Sequence, residues 1–137
     1  MDQPGIRWQQ RFGNLQTAYR RLQHAIAVNE EQPGNELVQM ALIKAFEMTF
    51  ELSWKTIKDY LKFNGIDAKL PREAIKQAFA HDIVVDGQMW IDMLEDRNLM
   101  AHTYDRDRAL LAVERIVGRY RFGLAQLHDY FAGRLSS

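Results

Sequence analysis

Apolar residues recur along the chain in steps of three and four. Between Ile6 and about Val28, the residues Trp8, Phe12, Leu15, Tyr19, Leu22 and Ile26 fall on one stripe of a helix. The polar stretch Asn29-Glu30-Glu31-Gln32-Pro33-Gly34 closes that pattern with a turn dipeptide. Asn35 predicts an N-cap for a second helix running to about Phe63, where Asn64-Gly65 supplies the stop. Leu37, Met40, Ile43, Phe46, Phe50, Trp54, Ile57 and Leu61 make that helix dense in large apolar groups and predict the central core helix. Pro71 sits at a first helical position and opens a short helix over 71–80. A fourth helix is predicted from about Gly87 to Ala101. A fifth, capped by Asp105, runs over about 106–133 and carries Leu110, Val113, Ile116, Val117, Tyr120, Leu124, Leu127 and Phe131. No segment alternates with period two for long enough to make a strand, and Val84-Val85 is the only β-branched pair that invites one. The expectation is an all-α chain: an up-and-down four-helix bundle with one additional short helix, forming a single domain over residues 1–137.

Composition narrows the classes. The 137 residues contain no cysteine, which removes disulfides, thiolate metal sites and cysteine nucleophiles and fits a reducing, cytoplasmic setting. Lys44, Glu47, Glu51 and Lys55 interrupt the longest apolar runs, so no stretch reaches the roughly 20 apolar residues of a membrane span. Met1-Asp2-Gln3-Pro4 has no basic and apolar leader pattern, so no signal peptide is expected. Eighteen Lys and Arg balance eighteen Asp and Glu, which argues against coating nucleic acid by bulk charge.

The balance is uneven. Residues 1–21 sum to +3 and residues 97–137 to +3, all their positive charges being Arg, while residues 22–96 sum to −6. Solvated helix faces account for this simply. The sharper expectation is that the two terminal helices lie together and share one basic face, with Arg suited to phosphate.

Most signatures of chemistry are absent. There is no glycine loop for phosphate, no paired-histidine helix and no calcium loop. Glu47 and Glu51 stand one turn apart and could bind a metal in a bundle core, but no Glu-x-x-His accompanies them. Surface pairing with Lys44 and Lys55 is the expected role, and neither a metal nor a cofactor is expected. The three Trp have plain roles too: Trp54 is expected in the core, while Trp90 and Met93 are candidates to face a partner copy.

The chemically rich segment is Leu94 to Asp105, which gathers Arg97, Asn98, His102 and Tyr104 near a helix end. Asn98 and His102 share a helix face. Arg97 and His102, five apart, stand roughly 140° apart at about 100° per residue. They converge only if the helix frays near Ala101 or a second copy faces the first. His suits proton transfer near neutral pH, and Arg suits a phosphodiester and the charge developing on it. By residue type alone, an Arg contact to Asp96 or a His contact to backbone is the simpler account.

Two motifs change that weighting. Arg97-x4-His102-x-Tyr104 resembles the motif of the HEPN superfamily of small all-α domains. Ala45-Phe46-Glu47-Met48-Thr49-Phe50-Glu51-Leu52-Ser53-Trp54-Lys55 resembles the central helix of its nucleotidyltransferase substrate-binding branch, relatives of HepT-type toxins. The likeness runs from about Trp8 to Phe131. It implies a dimer with Arg and His of both copies lining a shared cleft, and pairing with a separate minimal nucleotidyltransferase in a toxin–antitoxin-like module. It implies Arg97 and His102 as catalytic residues wherever the branch cuts RNA, without metal. Arg97, Asn98, His102 and Tyr104 become the substrate-binding set, and Tyr104 the hydroxyl that the partner adenylylates.

Three functions follow as expectations. The first is a substrate-binding subunit that dimerises, pairs with a minimal nucleotidyltransferase and binds a nucleotide or RNA. The second is a metal-independent RNase toxin that uses Arg97 and His102 and is controlled at Tyr104, where an added AMP would crowd and repel a phosphate. The third is a non-catalytic helical interaction module.

Overall fold

The structure is a computed structural model, and it describes residues 4–101 and 105–135. Its elements are α1 (Pro4–Glu31), α2 (Glu36–Phe63), α3 (Pro71–Ala80), α4 (Gly87–Ala101), α5 (Arg106–Arg115), a single π-helical turn (Ile116–Tyr120) and α6 (Arg121–Leu135). There is no strand among the described residues.

Local chemistry sets most boundaries. The Asn35 side chain accepts from the backbone N–H groups of Leu37 and Val38, satisfying two donors that α2 leaves unpaired. At its other end, Gly65 takes φ 82°, the Gly65 N–H donates to the Lys62 carbonyl at 3.0 Å and the Ile66 N–H to the Leu61 carbonyl at 2.8 Å. This is the paired-bond stop that a left-handed residue permits. The same stop ends α3, with Asp82 in the left-handed position at φ 60° and the Ile83 N–H donating to Ala78 at 2.8 Å. Ile83 and Val84 are buried by that turn and belong to no strand. Asp82→Gly removes the steric cost of a Cβ at positive φ and is expected to raise stability by about 0.5–1 kcal/mol in a thermal melt.

Ring and charge contacts give the topology. Arg11 meets Asp59 and Trp8 meets Tyr60, so α1 and α2 run antiparallel. Trp8 meets Phe131, Phe12 meets His128, and Arg121 meets Glu30, so α6 returns antiparallel along α1. Asp92 meets Arg119 and Asp96 meets Arg115, so α4 runs antiparallel to the last helical rod. The result is the expected all-α up-and-down bundle, with α3 as a short connector helix. Phe12, Phe46, Trp90, Tyr120 and Phe131 are among the largest fully buried side chains of one continuous core. Gly123 lets α6 lie close to α4, since a Cβ there would stand 2.5 Å from Met89 Sδ and 2.9 Å from Met93 Cε.

Two expectations about burial fail. Leu37 and Met40 are 77% and 60% exposed, because the first turns of α2 show one apolar side outward. Trp90 and Met93 have no exposed surface at all and pack inside the bundle, so they do not face a second copy.

Candidate functional site

α2 and α4 enclose a groove of about 300 Å³ whose floor includes Phe46, Phe50, Met93 and Met100. Charged groups stand at its edge. Arg97 is half exposed there, its guanidinium 3.9 Å from the Glu51 carboxylate. Glu51 is shared with Lys55 at 3.4 Å, and Glu47 lies 3.8 Å from Lys44, as helix spacing predicts. Burial pushes the Glu47 carboxyl above its ordinary value, and Lys44 only partly offsets this. No group of His, Asp and Glu capable of holding a metal occurs among the described residues.

α4 ends at Ala101, which also lines the groove. The expected site residues His102 and Tyr104 lie outside the described residues, and so does the side chain of Asn98. Of the four expected site residues, the structure therefore locates the Arg97 side chain, at the groove.

What fixes Arg97 in place was not visible as a motif. Asp92 and Asp96, one turn apart on α4, face Arg119 and Arg115, one turn apart on the opposing rod, each pair at 2.6 Å. The Tyr120 hydroxyl also donates to Asp96. Asp96 thus has two partners, Arg115 and Tyr120, that are five residues apart. In an α-helix, positions five apart point roughly 140° away from each other. In a π turn, the hydrogen bond runs from i to i+5 and brings those positions into line. The π turn at Ile116–Tyr120 is the local geometry that lets both side chains reach one carboxylate. The expected partner of Asp96 was Arg97. The structure gives Asp96 to the neighbouring rod and turns Arg97 to Glu51.

The charges respond accordingly. Burial, then the bond to Asp96, raises the Tyr120 phenol far above its ordinary value. The Gln88 amide, then the Arg119 guanidinium, holds the Asp92 carboxyl below the usual carboxylate range. Arg11, Arg115, Arg119 and Arg121 each meet an acid from the middle of the chain or the end of α1. The terminal helices do lie together, but those four arginines are matched rather than pooled into a basic face. No helix among the described residues is long and apolar enough to cross a membrane.

Residues 10–131 match the family described as nucleotidyltransferase substrate binding protein like. The chain belongs to that family. A relative from Haemophilus influenzae named "Probable ribonuclease HepT" is 28% identical over 79 residues, 54% of this chain and 54% of that protein. The match therefore spans about half the length of that curated relative. A solved Thermus thermophilus protein superposes with a TM-score of 0.63 at 27% identity, covering 85% of this chain and 99% of its own. A Haemophilus influenzae structure, described as revealing the fold of a substrate binding domain of a nucleotidyltransferase, gives a TM-score of 0.74 at 21% identity. It covers 86% of this chain and 96% of its own. At that identity the likeness is one of fold. Family membership accounts for the helical bundle to which α4 belongs. The aspartate–arginine ladder that holds this helix had one signal available in the sequence: the matched i, i+4 spacings of Asp92/Asp96 and Arg115/Arg119.

Proposed function

We infer that the protein is the substrate-binding subunit of a two-component nucleotidyltransferase. It forms a homodimer, docks a separate minimal nucleotidyltransferase, and receives a phosphate-bearing ligand, a nucleotide or RNA, at the α2–α4 groove. The observation that carries this reading is Arg97. It is half exposed at the rim of an apolar groove and, among the described residues, is held by a long contact to Glu51, so a phosphate can compete for it. His102 and Tyr104 follow the groove-lining Ala101 within three residues of sequence and complete the proposed ligand-binding set with Asn98.

The test is co-expression with a minimal nucleotidyltransferase of the same genome. A stable complex is expected, and separate elution of the two proteins would sink the reading. Within that complex, Arg97→Ala is expected to weaken nucleotide binding about tenfold, the scale of one charge-assisted contact, without changing the melting temperature by more than a degree or two.

A second reading rests on the HepT relative. In it, Arg97 holds the phosphodiester, His102 takes or gives the proton at the 2′-hydroxyl or the leaving oxygen, and no metal takes part. Adenylylation of Tyr104 by the partner would then add charge and bulk two residues from His102 and close the site. RNA cleavage in chelator, lost in His102→Ala with the fold intact, supports it. Intact RNA at every protein and partner ratio removes it. A mass gain of one AMP that disappears in Tyr104→Phe tests the control step separately.

A further inference from the structure

A second groove lies between α1 and α6 and shares no lining residue with the Arg97 groove. Its volume is about 350 Å³, within the range of small-ligand sites. Leu22 and Ile26 are buried and give it an apolar floor, while Tyr19 and Phe122 supply aromatic walls. Phe122 is 56% exposed, a large ring to leave facing water.

One cation stands among these lining residues. Arg121 packs its guanidinium 4.8 Å from the Phe122 ring centre, and its Nε atom is buried with no hydrogen-bond partner. It makes a 3.8 Å ion pair with Glu30 at the groove edge, where the Glu30 side chain is 64% exposed. Arg121 also bears on the Tyr19 phenol, whose pKa rises through burial and Asp129 while Arg121 opposes the rise. An apolar floor, two aromatic walls and a loosely committed guanidinium make up a site for a flat apolar ring that carries an acid. An apolar crevice alone would not explain the arginine, and a surface ion pair alone would not explain the cavity.

We propose that the α1–α6 groove binds a small aryl anion, an aromatic ring bearing a phosphate or carboxylate, with the ring between Tyr19 and Phe122 and the acid group on Arg121. Glu30 is the internal competitor for that guanidinium. Free aryl acids and nucleotides share this chemistry, and the probes below separate them.

The full chain, labelled with ¹⁵N, is titrated with phenyl phosphate, AMP and inorganic phosphate while amide shifts are followed. Saturable shifts at Tyr19, Gln23 and Phe122 are expected with phenyl phosphate, AMP or both, and inorganic phosphate should move them far less. Arg121→Gln is expected to weaken the aryl probe about tenfold, and Glu30→Gln to tighten it severalfold by releasing the guanidinium. These opposite signs distinguish a working site from a disturbed fold. Arg97→Ala should leave the shifts intact, so failure of the reading for the α2–α4 groove does not carry over. Shifts confined to residues around Arg97, equal response to inorganic phosphate, or no change in either Arg121→Gln or Glu30→Gln would overturn the proposal.

Discussion

Asp96→Ala is expected to cost about 2–3 kcal/mol of unfolding free energy and roughly 6–12 °C of melting temperature. The substitution removes one carboxylate and strands two donors. The Tyr120 hydroxyl belongs to a fully buried ring, and Arg115 loses its 2.6 Å partner. A buried hydroxyl left unpaired costs about 1–3 kcal/mol, while the partly exposed arginine regains water and adds less. Tyr120→Phe keeps the ring and removes only the hydroxyl, so it should cost about 1 kcal/mol. The double variant should cost less than the sum, because both changes delete the same bond. The pH dependence has a definite sign. The Tyr120 phenol is raised above its ordinary value of 10.0, so its contribution is complete below that pH and is lost as the pH climbs through the folded value. Tyrosinate absorbance should therefore show Tyr120 ionising together with alkaline unfolding. A melt of Asp96→Ala within a degree or two of the parent would show that the π turn does not depend on this carboxylate.

Helix ends were legible in the sequence because they are local. Asn35, Asn64-Gly65, Pro71 and Asp105 act on backbone groups within a few residues, and each stands where the helix begins or ends. Which face of a helix is covered was less legible. α2 carries apolar residues on more than one side, and periodicity alone assigned Leu37 and Met40 to a core that does not reach them. The π turn was invisible for a related reason. The stripe Ile116, Tyr120, Leu124, Leu127, Phe131 fits an α-helix, and only the convergence of Arg115 and Tyr120 on Asp96 reveals the extra residue in the turn. At the candidate site, the residue types of the Arg97 motif were readable, whereas the Glu51 contact joins distant parts of the chain. Charge sums misled for the same reason: arginines clustered at the chain ends find acids from elsewhere once α1, α4 and α6 are packed.

The largest expected loss of stability comes from Phe131→Ala, at about 3–5 kcal/mol and roughly 10–20 °C. Phe131 is fully buried where α1, α2 and α6 meet. Its ring centre lies 5.6 Å from Trp8, 5.6 Å from Phe12, 5.3 Å from Tyr60 and 5.4 Å from Tyr130. Four neighbouring rings cannot collapse together into the space that one ring leaves, so the cavity term adds to the lost transfer energy. Trp8 Nε1 has no hydrogen-bond partner, so this indole adds no polar contact to offset the loss. This cluster joins the start of α1 to the end of α6, and none of its rings lines the Arg97 groove. Below its lowered melting temperature, the Phe131→Ala protein should therefore keep the parent's nucleotide affinity, whereas Arg97→Ala should keep the parent's melting temperature and lose affinity. Binding isotherms and melts on the two variants separate the contacts that hold the bundle from the one proposed to serve it. Equal loss of affinity in both variants would mean that the α2–α4 groove depends on the whole core and not on Arg97.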